Sequence, residues 1–89
     1  MIRDEIKRLT NEVFEEFFEI EKDQLVPEAH IFEDLGLDSL DVVDLVVALQ
    51  QKFGVRIRED ERIRLIRTLN DLYDFILTLK AEGVASGKG

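Results

Sequence analysis

The residues best suited to chemistry lie in the segment EDLGLDSLDVVDLV, residues 33–46, where acids flank the hydroxyl of Ser39 at the start of an aliphatic run. We predict that a helix begins here, with Asp38 capping its backbone amides and Asp41 as the acidic member of a capping-box-like pair. Unpaired amides and the positive end of the helix dipole meet at such a start, which favours an attached phosphate. The surrounding carboxylates would repel a free phosphate, so covalent attachment makes better sense here than a reversible anion site.

Helical periodicity predicts the elements that position this segment. Near the N-terminus, apolar residues spaced by three or four positions form one stripe on a helix of about five turns. They are Ile2, Ile6, Leu9, Val13, Phe17 and Ile20, and the stripe is widened by Phe14 and Phe18. The helix beginning at Ser39 is predicted to end at Phe53, before Gly54. Its buried face is predicted to consist of Leu45, Val46, Leu49 and Phe53.

Two further helices are predicted after a short extended link. A brief third helix is expected over about residues 60–67, with Ile63 and Ile66 facing inward. A fourth helix is expected to follow a Thr68 cap, with Asp71 at its third position, and to end at Gly83. The buried face of this fourth helix is predicted to contain Leu69, Leu72, Tyr73, Ile76 and Leu79.

Residues 21–38 are predicted to form a long loop between the first two helices, because Pro27 disfavours helix at the residue before it. The side chains expected to pin this loop to the core are Ile31, Phe32, Leu35 and Leu37. A chain of 89 residues suffices for one small hydrophobic core. We therefore predict an all-α fold, a small four-helix bundle of three longer helices and one short third helix. The domain is expected to span residues 1–82, with a disordered tail over 83–89.

The charge distribution narrows the range of partners. The chain has no cysteine and a formal net charge of −8, and residues 21–38 hold six acids and one base. Such a surface repels nucleic acid and anionic lipid and attracts basic partner proteins. The N-terminal MIRDEIKR lacks the uninterrupted apolar run of a signal peptide or a membrane span. We therefore expect a cytoplasmic protein that binds no nucleic acid and has no stable membrane insertion.

The serine segment resembles the prosthetic-group motif of acyl carrier proteins. The motif residues are Glu33, Asp34, Leu35, Gly36, Asp38, Ser39 and Leu40, followed by Asp41, Val43, Leu45 and Val46. The resemblance covers residues 2 to about 80, including the helix order and the long first loop. It implies that Ser39 is joined through a phosphodiester to 4′-phosphopantetheine, whose terminal thiol carries the acyl chain as a thioester. It also implies that a phosphopantetheinyl transferase installs the arm from coenzyme A, and that Asp38 helps to hold the magnesium used in that transfer.

The resemblance implies a discrete carrier, not an enzyme, which delivers acyl intermediates to fatty-acid, lipid or related biosynthetic enzymes. Its partners would be acyl-transferring and synthase enzymes with basic docking surfaces, and we expect a monomer. The residues expected to face partners are Leu40, Asp41, Val43, Asp44, Val47 and Arg62. The alternative is an unmodified helical interaction module, in which Ser39 merely lies near a cap. The sequence does not identify the acyl cargo, because the loading enzyme chooses it.

Arginines set this chain apart from typical acyl carrier proteins, which carry acids through their second and third helices. They are Arg56, Arg58, Arg62, Arg64 and Arg67. Either they pair with nearby acids and only reduce local repulsion, or they reshape partner choice. Either role would distinguish a specialised carrier from a housekeeping one. A nucleic-acid-binding bundle is disfavoured, because residues 54–69 sum to only +2 within a chain of −8.

Three other patterns have weaker functional interpretations. His30 and Ser39 could form a base and nucleophile, but no G-x-S-x-G elbow surrounds the serine. The spaced aspartates lack the EF-hand pattern, so no metal site is predicted. The phenylalanines are expected in the core, although a bundle lined by them could open to sequester a fatty chain. They are Phe14, Phe17, Phe18, Phe53 and Phe75, with Phe32 in the loop.

Overall fold

The computed structural model describes residues 2–55, 57 and 65–86, and this part of the chain is all-α, as the sequence predicts. Three α-helices lie within it, α1 (Arg3–Phe18), α2 (Ser39–Phe53) and α3 (Leu69–Ser86), with a one-turn 3-10 helix at Lys22–Gln24. Helix α1 packs against both α2 and α3. None of the helices in the described ranges is long and apolar enough to cross a membrane.

The buried face of α1 lies where the apolar stripe predicts, but it is shorter than the stripe. Its buried side chains are Ile6, Thr10, Val13 and Phe14. Ile2 and Phe17, which the stripe predicts to be inside, are 68% and 58% exposed. Ile2 precedes α1 and Phe17 lies in its last turn, and the neighbouring elements leave both side chains uncovered. The prediction was wrong there because periodicity identifies a face and not how far that face is covered.

The end of α1 is set by a residue in a left-handed conformation. Glu19 has φ 55°, and its N–H donates to the carbonyl of Phe14. The N–H of Ile20 donates to the same carbonyl at 3.2 Å. Left-handed backbone is unusual for a residue with a Cβ, so these bonds and the packing of the following loop must hold it. The helix therefore stops two residues before the last residue of the predicted stripe.

Helix α2 has the predicted bounds and the predicted C-terminal glycine. Gly54 has φ 67°, and its N–H donates to the Gln50 carbonyl at 2.9 Å. Nothing lies within 4 Å of a Cβ built on Gly54, so glycine is favoured here by the backbone conformation and not by space. The buried residues of α2 are Leu45, Ala48, Leu49 and Phe53, while Val46 is partly buried against the core.

The predicted short third helix falls mostly outside the described residues. Residues 58–64 and Arg56 are not described, so the placement of Ile63 and of four of the five arginines stays a prediction. Ile57 and Ile66, on either side of this gap, are buried in the core. The chain is therefore anchored to the bundle at Ile57 and Ile66, although Leu65, the first described residue after the gap, is 73% exposed.

Helix α3 begins with the predicted reciprocal cap. The Asp71 N–H donates to Thr68 Oγ1, and the Thr68 N–H donates to Asp71 Oδ2, both at 3.2 Å. Asp71 Oδ2 also accepts the N–H of Arg67 at 3.0 Å. The bond from the Arg67 N–H contributes most to holding the pKa of Asp71 below its ordinary value. Burial opposes this shift, and the bonds from Thr68 and the charge of Arg67 add to it.

The C-terminal end of α3 differs from the sequence prediction. The helix runs through Gly83 to Ser86, so the predicted stop at Gly83 was wrong. An isolated glycine costs a helix interior only about 1 kcal/mol, and no proline follows to enforce an end. The first four residues of the predicted tail over 83–89 are therefore helical, and residues 87–89 lie outside the described residues.

The loop between α1 and α2 is tied to the start of α3 by three backbone hydrogen bonds, here called the loop clip. The N–H of Ile31 donates to the Arg67 carbonyl at 2.9 Å. The N–H of Leu69 donates to the Ala29 carbonyl at 3.0 Å, and the N–H of Asn70 donates to the Pro27 carbonyl at 2.9 Å. The loop also buries Leu25, Ala29, Ile31 and Leu37. Of the four predicted pinning residues, Ile31 and Leu37 are buried, Leu35 is partly buried and Phe32 is exposed.

Candidate functional site

The start of α2 is a complete capping box. Asp38 has an extended backbone, and its Oδ1 accepts the N–H groups of Leu40 and Asp41, each at 3.0 Å. Asp41 Oδ2 accepts the N–H of Asp38 at 3.1 Å in return. Both bonds of the pair predicted from the sequence are therefore present. The cap fixes the backbone on either side of Ser39, the first helical residue.

The capped start projects away from the core. Ser39 and Leu40 are both exposed, Leu40 to 77%. Immediately before the cap, Gly36 has φ 78° and turns the chain, while Leu37 is buried and its N–H donates to Ile31 O at 3.2 Å. The serine therefore stands in solvent on a backbone that is anchored one residue before the cap.

Two of the amides that could hold a free anion at this helix start are already occupied. The Asp38 carboxylate accepts hydrogen bonds from the N–H groups of Leu40 and Asp41, and it adds a negative charge at the helix start. A free phosphate would compete with that carboxylate and be repelled by it. The geometry agrees with the sequence-based preference for covalent attachment over a reversible anion site.

The exposed side of α2 carries the predicted partner-facing residues in one row. Leu40, Val43 and Val47 are exposed aliphatic side chains at positions i, i+3 and i+7 of the helix. Asp44 is exposed beside them, and Asp41 is half-buried with one carboxylate oxygen in the cap. Arg62, the sixth predicted partner residue, lies outside the described residues.

An apolar cleft lies on the other side of α2. Its volume is about 40 Å³, and Val42, Leu45 and Val46 of α2 face Phe75 of α3 across it. A water molecule needs at least about 10–15 Å³ of such space, so the cleft holds only a few small groups in this conformation. The helices would have to separate before a fatty chain could enter. The core interpretation of the buried phenylalanines Phe14, Phe53 and Phe75 is confirmed.

His30 organises the loop before the serine. The ring atom Nδ1 accepts the backbone N–H groups of Phe32 at 3.3 Å and Glu33 at 3.1 Å. The backbone N–H of His30 donates to Asp34 Oδ2 at 2.7 Å. His30 also forms an antiparallel bridge with Thr68. With one ring nitrogen accepting two backbone amides, His30 stabilises the turn of the loop that precedes the serine.

The chain is similar to known proteins over most of its length. A family defined by its phosphopantetheine attachment site matches residues 8–76. Acyl carrier protein 2 of Ralstonia nicotianae is 40% identical over 81 residues, which cover 91% of this chain and 99% of that protein. The acyl carrier protein of Syntrophobacter fumaroxidans is 47% identical over 62 residues, which cover 70% of this chain and 75% of that protein. The acyl carrier protein of Thermosynechococcus vestitus is 38% identical over 76 residues, which cover 85% of this chain and 93% of that protein.

The chain belongs to the acyl carrier protein family. It is a carrier of acyl groups and not an enzyme, and its cofactor is a covalently attached 4′-phosphopantetheine. When attached, this group supplies a terminal thiol that holds the acyl cargo. An exposed serine hydroxyl on a capped helix start fits such a group, because a phosphodiester at that position would remain in solvent without disturbing the core.

Two features of the carrier near the C-terminal end of α2 were not found from the sequence. Gln50 Oε1 accepts the N–H of Ile57 at 2.7 Å. Lys80 of α3 donates from Nζ to the carbonyl of Phe53 at 3.2 Å, which places a cation at the negative end of the α2 dipole. The first contact joins residues seven positions apart and the second joins residues 27 positions apart, so neither follows from the spacing of residues within one helical turn.

Proposed function

We propose that Ser39 is the residue that bears the 4′-phosphopantetheine arm. Residues 8–76 contain four hydroxyl side chains, those of Thr10, Ser39, Thr68 and Tyr73. Thr10 and Tyr73 are buried, and Thr68 is half-buried within the cap of α3. Ser39 alone among these four is exposed, and this observation supports the proposal most directly.

Burial also disfavours Tyr73 chemically. Its hydroxyl donates to Asn11 Oδ1 at 2.5 Å inside the bundle. Burial raises the pKa of Tyr73 to about 12, although the bond to Asn11 and the nearby Arg3 charge act in the opposite direction. A transferase could not reach this oxygen without unfolding the domain.

Asp38 has two roles in the proposal. Its carboxylate caps α2 and so fixes the backbone that presents Ser39. As the acid that directly precedes the modified serine, it would also help to hold the magnesium ion during attachment of the arm, as its position in the family motif implies. Its Oδ1 is occupied by the cap, so the second carboxylate oxygen is the one suited to a metal ion.

The exposed row on α2 is the surface proposed to meet partners. Leu40, Val43 and Val47 offer apolar contacts, while Asp41 and Asp44 attract basic surfaces. The partners would be a phosphopantetheinyl transferase and then acyl-transferring and synthase enzymes with basic docking surfaces. A net charge of −8 favours rapid association with such enzymes at low ionic strength.

The remaining expectations from the sequence complete the proposal. A short helical segment over about residues 60–67 would bring the bundle to four helices, with Arg62 available to partners. The carrier would work as a monomer in the cytoplasm, because a second copy would bring the same excess of acids to the interface.

Intact-mass measurement tests the attachment site. The wild-type protein, incubated with a phosphopantetheinyl transferase, magnesium and coenzyme A, is expected to gain the mass of one 4′-phosphopantetheine group. Ser39→Ala is expected to gain none, while retaining the wild-type circular dichroism spectrum. Thr78→Ala, which removes an exposed hydroxyl outside residues 8–76, serves as the matched control and should be loaded fully. A wild-type protein that keeps its unmodified mass would favour the unmodified interaction module, and loading of Ser39→Ala would place the arm elsewhere.

A further inference from the structure

Phe17 is an aromatic side chain that the core does not account for. It lies in the last turn of α1 and is 58% exposed, whereas Phe14, one turn earlier on the same side, is fully buried. An exposed aromatic ring that adjoins other exposed apolar side chains is typical of an interaction surface. The residues around Phe17 therefore show whether it belongs to such a surface.

Phe17 borders a cleft between the end of α1 and the middle of α2. The cleft has a volume of about 250 Å³ and is lined by Phe17, Phe18, Asp44, Val47, Ala48 and Gln51. Phe18 and Ala48 belong to the packed interior, while Phe17 and Val47 are the exposed apolar walls. The cleft is larger than the one on the other side of α2 and is already open to solvent in this conformation.

Contacts within α1 and between α1 and α2 stabilise the backbone that carries this cleft. The rings of Phe14 and Phe18 lie with centroids 6.0 Å apart, and the left-handed Glu19 ends α1 directly after Phe18. One turn further from the cleft, Lys52 Nζ of α2 pairs with Glu12 Oε1 of α1 at 3.1 Å. The cleft is thus largely preformed, which lowers the entropy lost when a side chain enters it.

The charges around the cleft indicate the chemistry of its occupant. Asp44 lines it and Glu16 is exposed next to Phe17, while none of the lining residues in the described part of the chain is a lysine or an arginine. A second copy of this chain would bring further acids toward these acids and be repelled. A side chain that enters the cleft most favourably is apolar and is flanked by lysine or arginine on the partner.

The cleft is continuous with the exposed row on α2. Val47 is both the last member of the row Leu40, Val43 and Val47 and a wall of the cleft. The row alone is one aliphatic side chain wide. Stable protein interfaces bury about 800 Å² per partner and concentrate their energy in a few anchors, often aromatic. Phe17 widens the surface onto α1 and supplies such an anchor.

We propose that partner proteins insert an apolar side chain, flanked by basic residues, into the cleft between Phe17 and Val47. The docking surface then extends from Ser39 along α2 onto the end of α1. This inference rests on the carrier function proposed above, because it identifies where partners of the same carrier make contact. It assigns to α1 a direct role in recognition besides its role in the core.

A titration followed by two-dimensional NMR tests the inference. The probe is a synthetic helical peptide of about 18 residues with leucines on one face and lysines along both edges. A control peptide has glutamate in place of every lysine. We expect the lysine peptide to shift the amide signals of Phe17, Phe18 and Val47 together, and the glutamate peptide to leave them unchanged. Phe17→Gln is expected to weaken binding of the lysine peptide about tenfold. Ile2→Gln changes an exposed apolar residue just before the other end of α1 and should leave the affinity unchanged within about twofold.

Several outcomes would overturn the inference. They are equal binding of both peptides, shifts confined to α2, an unchanged affinity of Phe17→Gln, and concentration-dependent self-association that shifts the same signals. The titration uses the unloaded protein, and loading of the wild type is measured separately by intact mass. If the wild type is loaded and Phe17→Gln binds the lysine peptide as tightly as the wild type does, only the docking role of the cleft is refuted. Failure of the wild type to be loaded would refute the carrier proposal, whatever the titration shows.

Discussion

The starts of α2 and α3 use the same local chemistry in different surroundings. In α2 the pair is Asp38 and Asp41, and in α3 it is Thr68 and Asp71. Each has a capping side chain that accepts the N–H three residues on, and an aspartate at that position that accepts the N–H of the capping residue. In sequence, the two starts would be expected to contribute similarly to stability.

The two starts differ in what lies around the cap. Leu69, the first residue of α3, is 0% exposed, and its N–H belongs to the loop clip. The corresponding stretch of α2 has Ser39 and Leu40 in solvent. The comparison teaches that one capping design can anchor a loop or present a side chain to other proteins, depending on what the following residues contact. The α3 start anchors the loop to the bundle, and the α2 start is free to serve the modification proposed at Ser39.

The largest expected contrast comes from the leucines next to the two caps. Leu69→Ala should lower the free energy of unfolding by about 2–5 kcal/mol, because it leaves a cavity in a packed core. Leu40→Ala should change it by less than about 0.5 kcal/mol, because the side chain is already in water. Urea unfolding of both variants measures the difference. Similar losses at the two sites would contradict the contrast between an anchoring and a presenting helix start.

Replacing the capping residues separates stability from loading. Asp38→Ala and Thr68→Ala should each reduce the free energy of unfolding by about 1 kcal/mol, since each leaves helix amides unpaired. Only Asp38→Ala should also slow attachment of the arm, measured as the initial rate of mass gain with limiting transferase. If Thr68→Ala slowed loading as strongly, the effect would come from general destabilisation and the assignment of a second role to Asp38 would be lost.

The smallest expected effect is the contribution of the α3 cap to the loss of folding stability at low pH. The pKa of Asp71 is lower in the folded protein than its ordinary value of 3.8, so the folded state favours its charged form. This stabilisation is fully present above the unfolded pKa and is lost as pH falls through the folded pKa. Urea unfolding between about pH 6 and pH 3 should therefore show a smaller acid-induced loss in Asp71→Asn than in the wild type. Parallel curves for the two proteins would mean that the cap contributes nothing to the acid sensitivity.

Local patterns in the sequence predicted the helix starts well. Asp38 with Asp41, Thr68 with Asp71 and the glycine after Phe53 lie where the capping rules place them, because a cap involves only residues a few positions apart. The same rules failed at Gly83, where helix formation by the flanking residues outweighs one glycine. The lesson is that a capping residue with a hydrogen-bonding side chain is a more reliable signal than a lone glycine.

Longer-range features were predicted less well. The apolar stripe places both Ile6 and Phe17 on the core side of α1, but only Ile6 is covered by other elements. Phe32 was expected to pin the loop and is exposed instead, while the loop is held by backbone bonds to the start of α3. His30 gave no sequence signal for its role as an acceptor of two backbone amides. In each case the outcome depends on residues more than a turn away or on the path of the loop.

The sequence by itself determined the all-α class, the bounds of α2, both capping boxes and the resemblance to carriers, since each is encoded in the order of neighbouring residues. Tertiary structure decided which capped start is buried, which hydroxyl is exposed and which phenylalanine remains in solvent. Burial is a property of the assembled bundle, because a side chain is covered only where a distant element of sufficient length packs over it.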